Sequence, residues 1–404
     1  MILRQSRGQI LGVWLLALGQ TLTYAGVYYG FAALLPDLMT ATRWGLGALA
    51  FGPTISFLVM AALLPFSGRL VDHGYGALMM LVGPALGALA LLGMAFAGAL
   101  WQWYLAWAVI GLAMSGSVYE TCFAQLTRVL DRENGAMTAR AAIIRVTLVA
   151  GFASTLAFPL GHWWGPALGG QMGFAAFAGV VALAIPVNRA GLRALGHARK
   201  GADHPAPPKG AVRAALISPA FWGLALVLTA LWASHGILLT YVLVLFQDRG
   251  AGAGMAALAA SCIGPAQVFA RLMLMAGGAC ISNRMATLAA IGSLTLATIV
   301  LIAAGAAPLL IFGFAALQGM GAGLFSILRP ILVADLLGKG SFGAVSSAIS
   351  VGPVLANAAA PALGAMMLRY GGTAMVFAAC LALCVLAFIL ALVMIAPRRN
   401  FRTA

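Results

Sequence analysis

The sequence predicts an all-α membrane protein, with about twelve transmembrane helices in two pseudo-symmetric six-helix halves. Three observations carry that expectation. Hydrophobic residues make up 63% of the 404 and charged residues only 8%, a composition whose surface water cannot solvate as an ordinary soluble domain. The apolar runs are continuous and rich in Ala, Leu and Gly, unlike the alternating roughly ten-residue segments of a membrane barrel. A single long polar run, NRAGLRALGHARKGADHPAPPKGAVR at 188–213, separates apolar blocks of similar length. The expected organisation is therefore an N-terminal half at 1–187, a linker at 188–215 and a C-terminal half at 216–404.

The linker sets Arg189, Arg193, Arg199, Lys200, Lys209 and Arg213 against Asp203. Pro205, Pro207 and Pro208 discourage regular structure there, so a cytoplasmic connection is expected. The net charge of +15 is dispersed between apolar runs, which reports membrane topology rather than nucleic-acid binding. With both termini cytoplasmic, the outer loops hold only Arg43, Arg249 and Arg369, while Arg145, Arg271 and Arg329 fall within spans. The other Lys and Arg lie inside, as the positive-inside rule requires of a multi-pass inner-membrane protein. Arg4 and Arg7 precede an apolar run as in a signal peptide, but the run continues to Leu35 and is expected as the first span. Cys122, Cys262, Cys280, Cys380 and Cys384 lack metal spacing and are expected to pack.

Span 1, about Ile10 to Leu35, carries Gln20, Tyr24 and Tyr28 on one helical face. Such a stripe turns inward in lipid, to line a cavity or to make a helix contact. Span 2 covers about Trp44 to Phe66 and includes Gly52-Pro53. It is followed by Gly68-Arg69-Leu70-Val71-Asp72-His73-Gly74.

That loop resembles the G-x-L-x-D signature between the second and third helices of the major facilitator superfamily. The resemblance implies a gate latch at Asp72, with Arg69 as a second latch candidate. It also implies the major facilitator fold, with two halves rocking about a central site.

Span 3 is expected over about Ala77 to Ala97. Span 4, about Trp101 to Thr127, contains Glu120, the acid that falls inside a span. Counted from Arg128 and Arg140 at the inner ends of antiparallel spans 4 and 5, Glu120 and Arg145 reach similar depth, so an ion pair is expected. Its role is either a salt bridge tying the two helices or a proton or substrate function. Span 5 covers about Ala141 to Phe158. His162, beside Trp163 and Trp164, reads as interfacial before span 6, which ends near Ile185. Span 7, about Phe221 to Leu245, places Trp232 and His235 near its middle, as packing groups or as proton or substrate contacts.

Span 8 starts near Met255 and reads Gly264-Pro265-Ala266-Gln267-Val268-Phe269-Ala270-Arg271. It echoes Gly52-Pro53 and Phe57 of span 2 at a constant offset, the internal repeat expected of two parallel halves. Arg271 lies about 25 Å along this span from its outer end. Guanidinium stays charged, so it needs acceptors there, an anionic substrate, or a path to the inner interface. The motif is similar to the eighth helix of monocarboxylate-porter-like transporters, in which an Asp-x-x-x-Arg pair handles substrate carboxylate and proton. Gln267 stands at the Asp position, so hydrogen bonding carries over and titration does not. Span 9 runs from about Met285 to Ala304. Span 10, about Leu309 to Leu336, brings Gln318 toward the cavity and Arg329 near the inner end, for snorkelling, gate pairing or substrate contact. Span 11, about Val345 to Leu368, carries Asn357, and span 12 ends at Pro397.

No G-x-x-x-x-G-K-[ST] loop, metal-spaced His/Cys cluster or nucleophile-base arrangement is present in the sequence, so neither an enzyme nor a cofactor is expected. The expected function is alternating-access transport of a small organic anion, a monocarboxylate in the first instance, with symport of a proton as one coupling. Substrate-binding candidates are Arg271, Gln267, Tyr24, Tyr28, Trp232 and His235. Two alternatives stand beside it: a carrier of a larger, weakly charged metabolite, vitamin or drug, and a non-transporting membrane receptor.

Overall fold

The computed structural model describes residues 2–130, 139–196, 211–277, 281–337 and 342–395. Among them the secondary structure is helical, without strands. The chain forms two compact units, Met1–Asp203 with Ala253–Gly264, and His204–Gly252 with Pro265–Ala404. Ten helical stretches among the described residues are long and apolar enough to cross a membrane.

The first unit contains α1 (Ile2–Val27), α2 (Gly30–Ala41), α3 (Leu46–Leu70), a π-helical turn (Val71–Tyr75), α4 (Gly76–Ala95), α5 (Leu100–Ser117) and α6 (Tyr119–Leu130). It continues with α7 (Ala139–Ala150), α8 (Ala153–Leu168) and α9 (Gly173–Leu195). α1 packs along α9 and α7, α4 along α5 and α9, and α3 along α5. Close approach of α1 and α9 depends on two glycines: a Cβ on Gly12 would fall 2.8 Å from the Gly191 carbonyl oxygen, and one on Gly191 would fall 3.1 Å from that of Gly12. Small residues serve this purpose between membrane helices because lipid offers no hydrophobic drive for association. Val13, Leu16, Met80, Leu126 and Val146 fill part of the core.

The second unit begins with α10 (Ala211–Ile217), α11 (Pro219–Thr240) and α12 (Val242–Asp248). α13 (Ala253–Ser261) belongs to the first unit and packs on α8. α14 (Ile263–Gly277), α15 (Asn283–Ala303), α16 (Leu310–Leu337) and α17 (Phe342–Ile395) complete the chain. α17 contains the expected spans 11 and 12, divided at Gly372, whose φ of 62° is the left-handed conformation that glycine adopts without Cβ strain. α11 packs along α17, and α15 along α16 and α17, around Phe221, Leu228, Ile291, Phe325 and Ile349.

Five expected spans are broken rather than continuous. The interruptions fall at Tyr28–Tyr29, Val118, Gly151–Phe152, Tyr241 and Cys262. A break frees backbone carbonyls, and hydrocarbon supplies no water to satisfy them. In the first unit, side chains do so instead. Ser117 O accepts from Gln20 Nε2 at 2.7 Å, Ser115 O from Thr121 Oγ1 at 3.2 Å, and Ser261 O from Thr155 Oγ1 at 2.9 Å. The fully buried Gln20 is thus a tie between α1 and the end of α5, which assigns that member of the polar stripe to helix contact. In the second unit the Tyr241 hydroxyl donates to Pro361 O at 2.5 Å beside its own break.

Two expected boundaries shift. The polar run begins inside a helix, because α9 continues to Leu195. Asn188 is fully buried there and donates to Met80 O at 2.8 Å; residues 197–210 lie outside the described chain. Span 5 also runs further, through Pro159 and Pro166 to Leu168, so His162, Trp163 and Trp164 sit on α8 rather than in a loop. Proline is tolerated inside a membrane helix where neighbouring groups accommodate the freed carbonyl.

Candidate functional site

In the second unit, α11 places Trp232 and His235 one turn apart, with ring centroids 5.7 Å apart and planes at 90°. Both line a small cleft with Leu231, Leu294, Ala322 and Phe325, drawn from α11, α15 and α16. Gln318 of α16 supports the imidazole, its Nε2 lying 3.0 Å from His235 Nδ1. The amide and the imidazole thus share one hydrogen bond, whose direction follows the tautomer of the ring. Gln318 is 2% exposed, and neither its Oε1 nor the Trp232 Nε1 has a hydrogen-bond partner. Buried polar atoms of this kind call for explanation.

Gln267 and Arg271 lie one turn apart on α14. Arg271 is only 5% exposed; its Nη2 donates to Gln267 Oε1 at 3.3 Å and its Nε to Gly323 O of α16 at 3.4 Å. The guanidinium is therefore engaged by acceptors of its own unit, and the i, i+4 spacing that linked the two residues in the sequence is realised as a hydrogen bond.

The first unit gathers tyrosines at the breaks of its helices. Tyr24 stands 5.7 Å from Tyr28 and 4.6 Å from Tyr119 between ring centroids; Tyr28 meets Tyr29 at 4.9 Å and Phe57 at 5.7 Å. Tyr119 stacks on Phe123 at 5.1 Å, with planes 14° apart. Tyr29 and Tyr119 join this cluster only because the helices break at Tyr28–Tyr29 and Val118. Glu120, next to Tyr119 in the chain, is exposed beside it.

Glu120 does not form the expected ion pair with Arg145. Among the described residues the structure holds one salt bridge, between the adjacent Asp248 and Arg249 at 2.7 Å. Arg145 instead donates to Ala141 O of its own helix at 3.3 Å. The break at Val118 resets the helical phase of α6, so depth counted along a continuous span 4 does not give its facing.

At the motif turn, Arg69 is exposed and leans over Phe66 at 5.9 Å from the ring centroid, while its carbonyl lies 2.7 Å from His73 Nδ1. The Asp72 side chain lies outside what is described. The guanidinium that holds the turn belongs to Arg128, which donates to Val71 O at 2.5 Å. In the sequence Arg128 marks the inner end of span 4, and that depth, level with the motif, is the signal that points to it. Arg329 donates to Ser350 Oγ within the second unit. No cluster of three or more His, Cys, Asp or Glu suited to a metal occurs among the described residues. Four cysteines are free, with Cys380 and Cys384 packed beside Ser234; Cys280 lies outside the described residues.

Two helical membrane units with polar and aromatic groups at broken helices define the architecture of a solute carrier. The Major Facilitator Superfamily model matches residues 16–316, and the chain belongs to that family: it is a transporter of the major facilitator fold. A search of curated proteins found no match. Among solved structures, a mutant of the nucleoside transporter NupG superposes with a TM-score of 0.72 at 12% identity, covering 96% of this chain and 98% of that one. That likeness concerns the fold. Neither comparison singles out the monocarboxylate-porter-like branch.

Proposed function

We propose that this transporter is a secondary carrier of a small organic solute of little or no net charge, moved across the inner membrane by alternating access with both termini cytoplasmic. The observation that carries the reading is the cleft lined by Trp232 and His235 with Gln318 behind it, an apolar and aromatic wall with few polar groups. Arg271 supports it from the other direction. Two of its guanidinium N–H groups are already given to neutral acceptors of its own unit, Gln267 Oε1 and Gly323 O. In this reading Arg271 and Gln267 orient the site, and Trp232 and His235 contact the solute. Tyr24 and Tyr28 contribute the stacking surface of the first unit. Glu120 serves as the titratable group beside the tyrosines, and Asp72, Arg69 and Arg329 belong to the gates.

The test is uptake into proteoliposomes from a panel of monocarboxylates, neutral vitamins and nucleosides. Nucleosides are included because the similar solved structure is that of a nucleoside transporter. Saturable flux of neutral solutes, with carboxylates at the level of empty liposomes, is the expected result. Saturable carboxylate flux that Arg271→Gln abolishes selectively would overturn the proposal and restore the anion expectation.

A further inference from the structure

We infer that the tyrosine cluster of the first unit, with Glu120 at its edge, binds an organic cation, a protonated or quaternary amine. This rests on the reading of the chain as a carrier of weakly charged solutes and narrows it, assigning the solute one positive centre. The two sides of α6 differ. Thr121, Cys122, Gln125 and Leu126 are buried against the rest of the unit. Glu120, Phe123 and Thr127, at i, i+3 and i+7, share the other side, with Tyr119 next to them; Glu120 is exposed and the other three are half-buried. Glu120 stands about 12 Å along α6 from Arg128, which the sequence places at the inner end of the span. An ionisable side chain left exposed at that depth faces a water-filled cavity rather than lipid, so this side of α6 is a cavity wall.

The same wall is aromatic. Tyr119 stacks on Phe123 and meets Tyr24 at 4.6 Å between ring centroids, and Tyr24 leads through Tyr28 to Phe57 of α3. These rings are only half-buried. The carboxylate at their edge takes part in no salt bridge among the described residues. Arg145 of the neighbouring α7 donates to Ala141 O, and Arg128 of α6 donates to Val71 O. A carboxylate without a counter-charge is costly at membrane depth, and a bound cation supplies that charge. The rings attract the same ligand, because an aromatic face presents negative charge to a cation within about 6 Å of its centroid. An anion is repelled by Glu120, and a neutral aromatic solute leaves the carboxylate unpaired. A hard metal ion needs several oxygen ligands, and no group of three or more His, Cys, Asp or Glu suited to a metal occurs among the described residues. An alkylated ammonium, carried on apolar carbon, fits both the acid and the rings.

The experiment is equilibrium binding of radiolabelled phenethylamine and benzyltrimethylammonium to the full-length purified protein. Phenethyl alcohol is the uncharged competitor, and benzoate serves as the anion. The expected result is that the cations bind and phenethyl alcohol competes about tenfold or more weakly than phenethylamine. Glu120→Gln should make phenethylamine and phenethyl alcohol equal. Tyr24→Leu should weaken both cations, while Tyr24→Phe, which keeps the ring, should not. If a variant does not fold, the preference of the wild type for the amine over the alcohol still decides. Equal binding of amine and alcohol, preference for benzoate, an unchanged preference in Glu120→Gln, cation affinity unaffected by Tyr24→Leu, or no binding of either cation overturns the inference. Proteoliposome flux separates this failure from that of the broader reading, since a protein that moves neutral solutes but binds no cation remains a carrier of weakly charged solutes.

Discussion

Replacing Gly323 by alanine tests the packing that positions Arg271. A Cβ at Gly323 would lie 2.5 Å from Gln267 O, 2.8 Å from its Cα and 3.0 Å from its carbonyl carbon. All three are backbone atoms of α14, so no rotamer change relieves the overlap. Carbon contacts are optimal at about 3.5–4.0 Å, so α14 and α16 must part by about 1 Å. That separation carries the bond from Arg271 Nε to Gly323 O, already 3.4 Å long, out of hydrogen-bond range. Overpacking costs about 1–3 kcal/mol, and losing a bond to a charged group about 1.5–3 kcal/mol. Against this, alanine is favoured over glycine in a helix by up to about 1 kcal/mol. The net expectation for Gly323→Ala is destabilisation by about 1.5–6 kcal/mol. Gly179→Ala on α9 is the control, since a Cβ there meets nothing within 4 Å; it should be neutral or slightly stabilising. Thermal unfolding of the detergent-purified variants, followed by tryptophan fluorescence, reads the difference. Equal midpoints for the two variants would refute the argument that α14 and α16 meet backbone to backbone.

Gly74 holds φ at 92° in the motif turn with open space around it, so Gly74→Ala should cost about 1–2 kcal/mol from backbone strain alone. The same unfolding assay checks this, and an unchanged midpoint would show that the turn does not need the left-handed conformation. Tyr241→Phe removes the hydroxyl that donates to Pro361 O at 2.5 Å. A midpoint lowered by the equivalent of about 1–2 kcal/mol is expected, together with slower transport if the α11–α12 break moves during the cycle.

Much of the fold was legible because lipid simplifies the code. A continuous apolar run of sufficient length has few alternatives to a spanning helix, and the expected spans each have a helical counterpart among the described residues. The chain does form two compact units, but Gly264 falls in the first and Pro265 in the second, so the echo with Gly52-Pro53 does not follow their boundary. Of the candidate site, Trp232 and His235 were legible as polar and aromatic groups in mid-span, and the structure adds Gln318 as the hydrogen-bond partner of that imidazole. Gln267 and Arg271 were linked by their i, i+4 spacing, but nothing in that spacing tells that Gly323 O would share the guanidinium. Glu120 and Arg145 failed to pair for a comparable reason, since Val118 adopts an extended conformation after Ser115-Gly116-Ser117, small residues that inside an apolar span do not by themselves announce a break.

By itself the sequence determined the membrane class, the two-part plan and the residues with chemistry to offer, because each depends on local composition and on the cost of polar groups in hydrocarbon. The tertiary structure alone decided where five helices break, which side chains satisfy the freed carbonyls, and which polar atoms remain unspent beside the cleft. In the membrane a buried polar side chain takes its partner from whichever helix lies alongside. The periodicity of its own helix tells which way it faces, and only the packing tells what it meets.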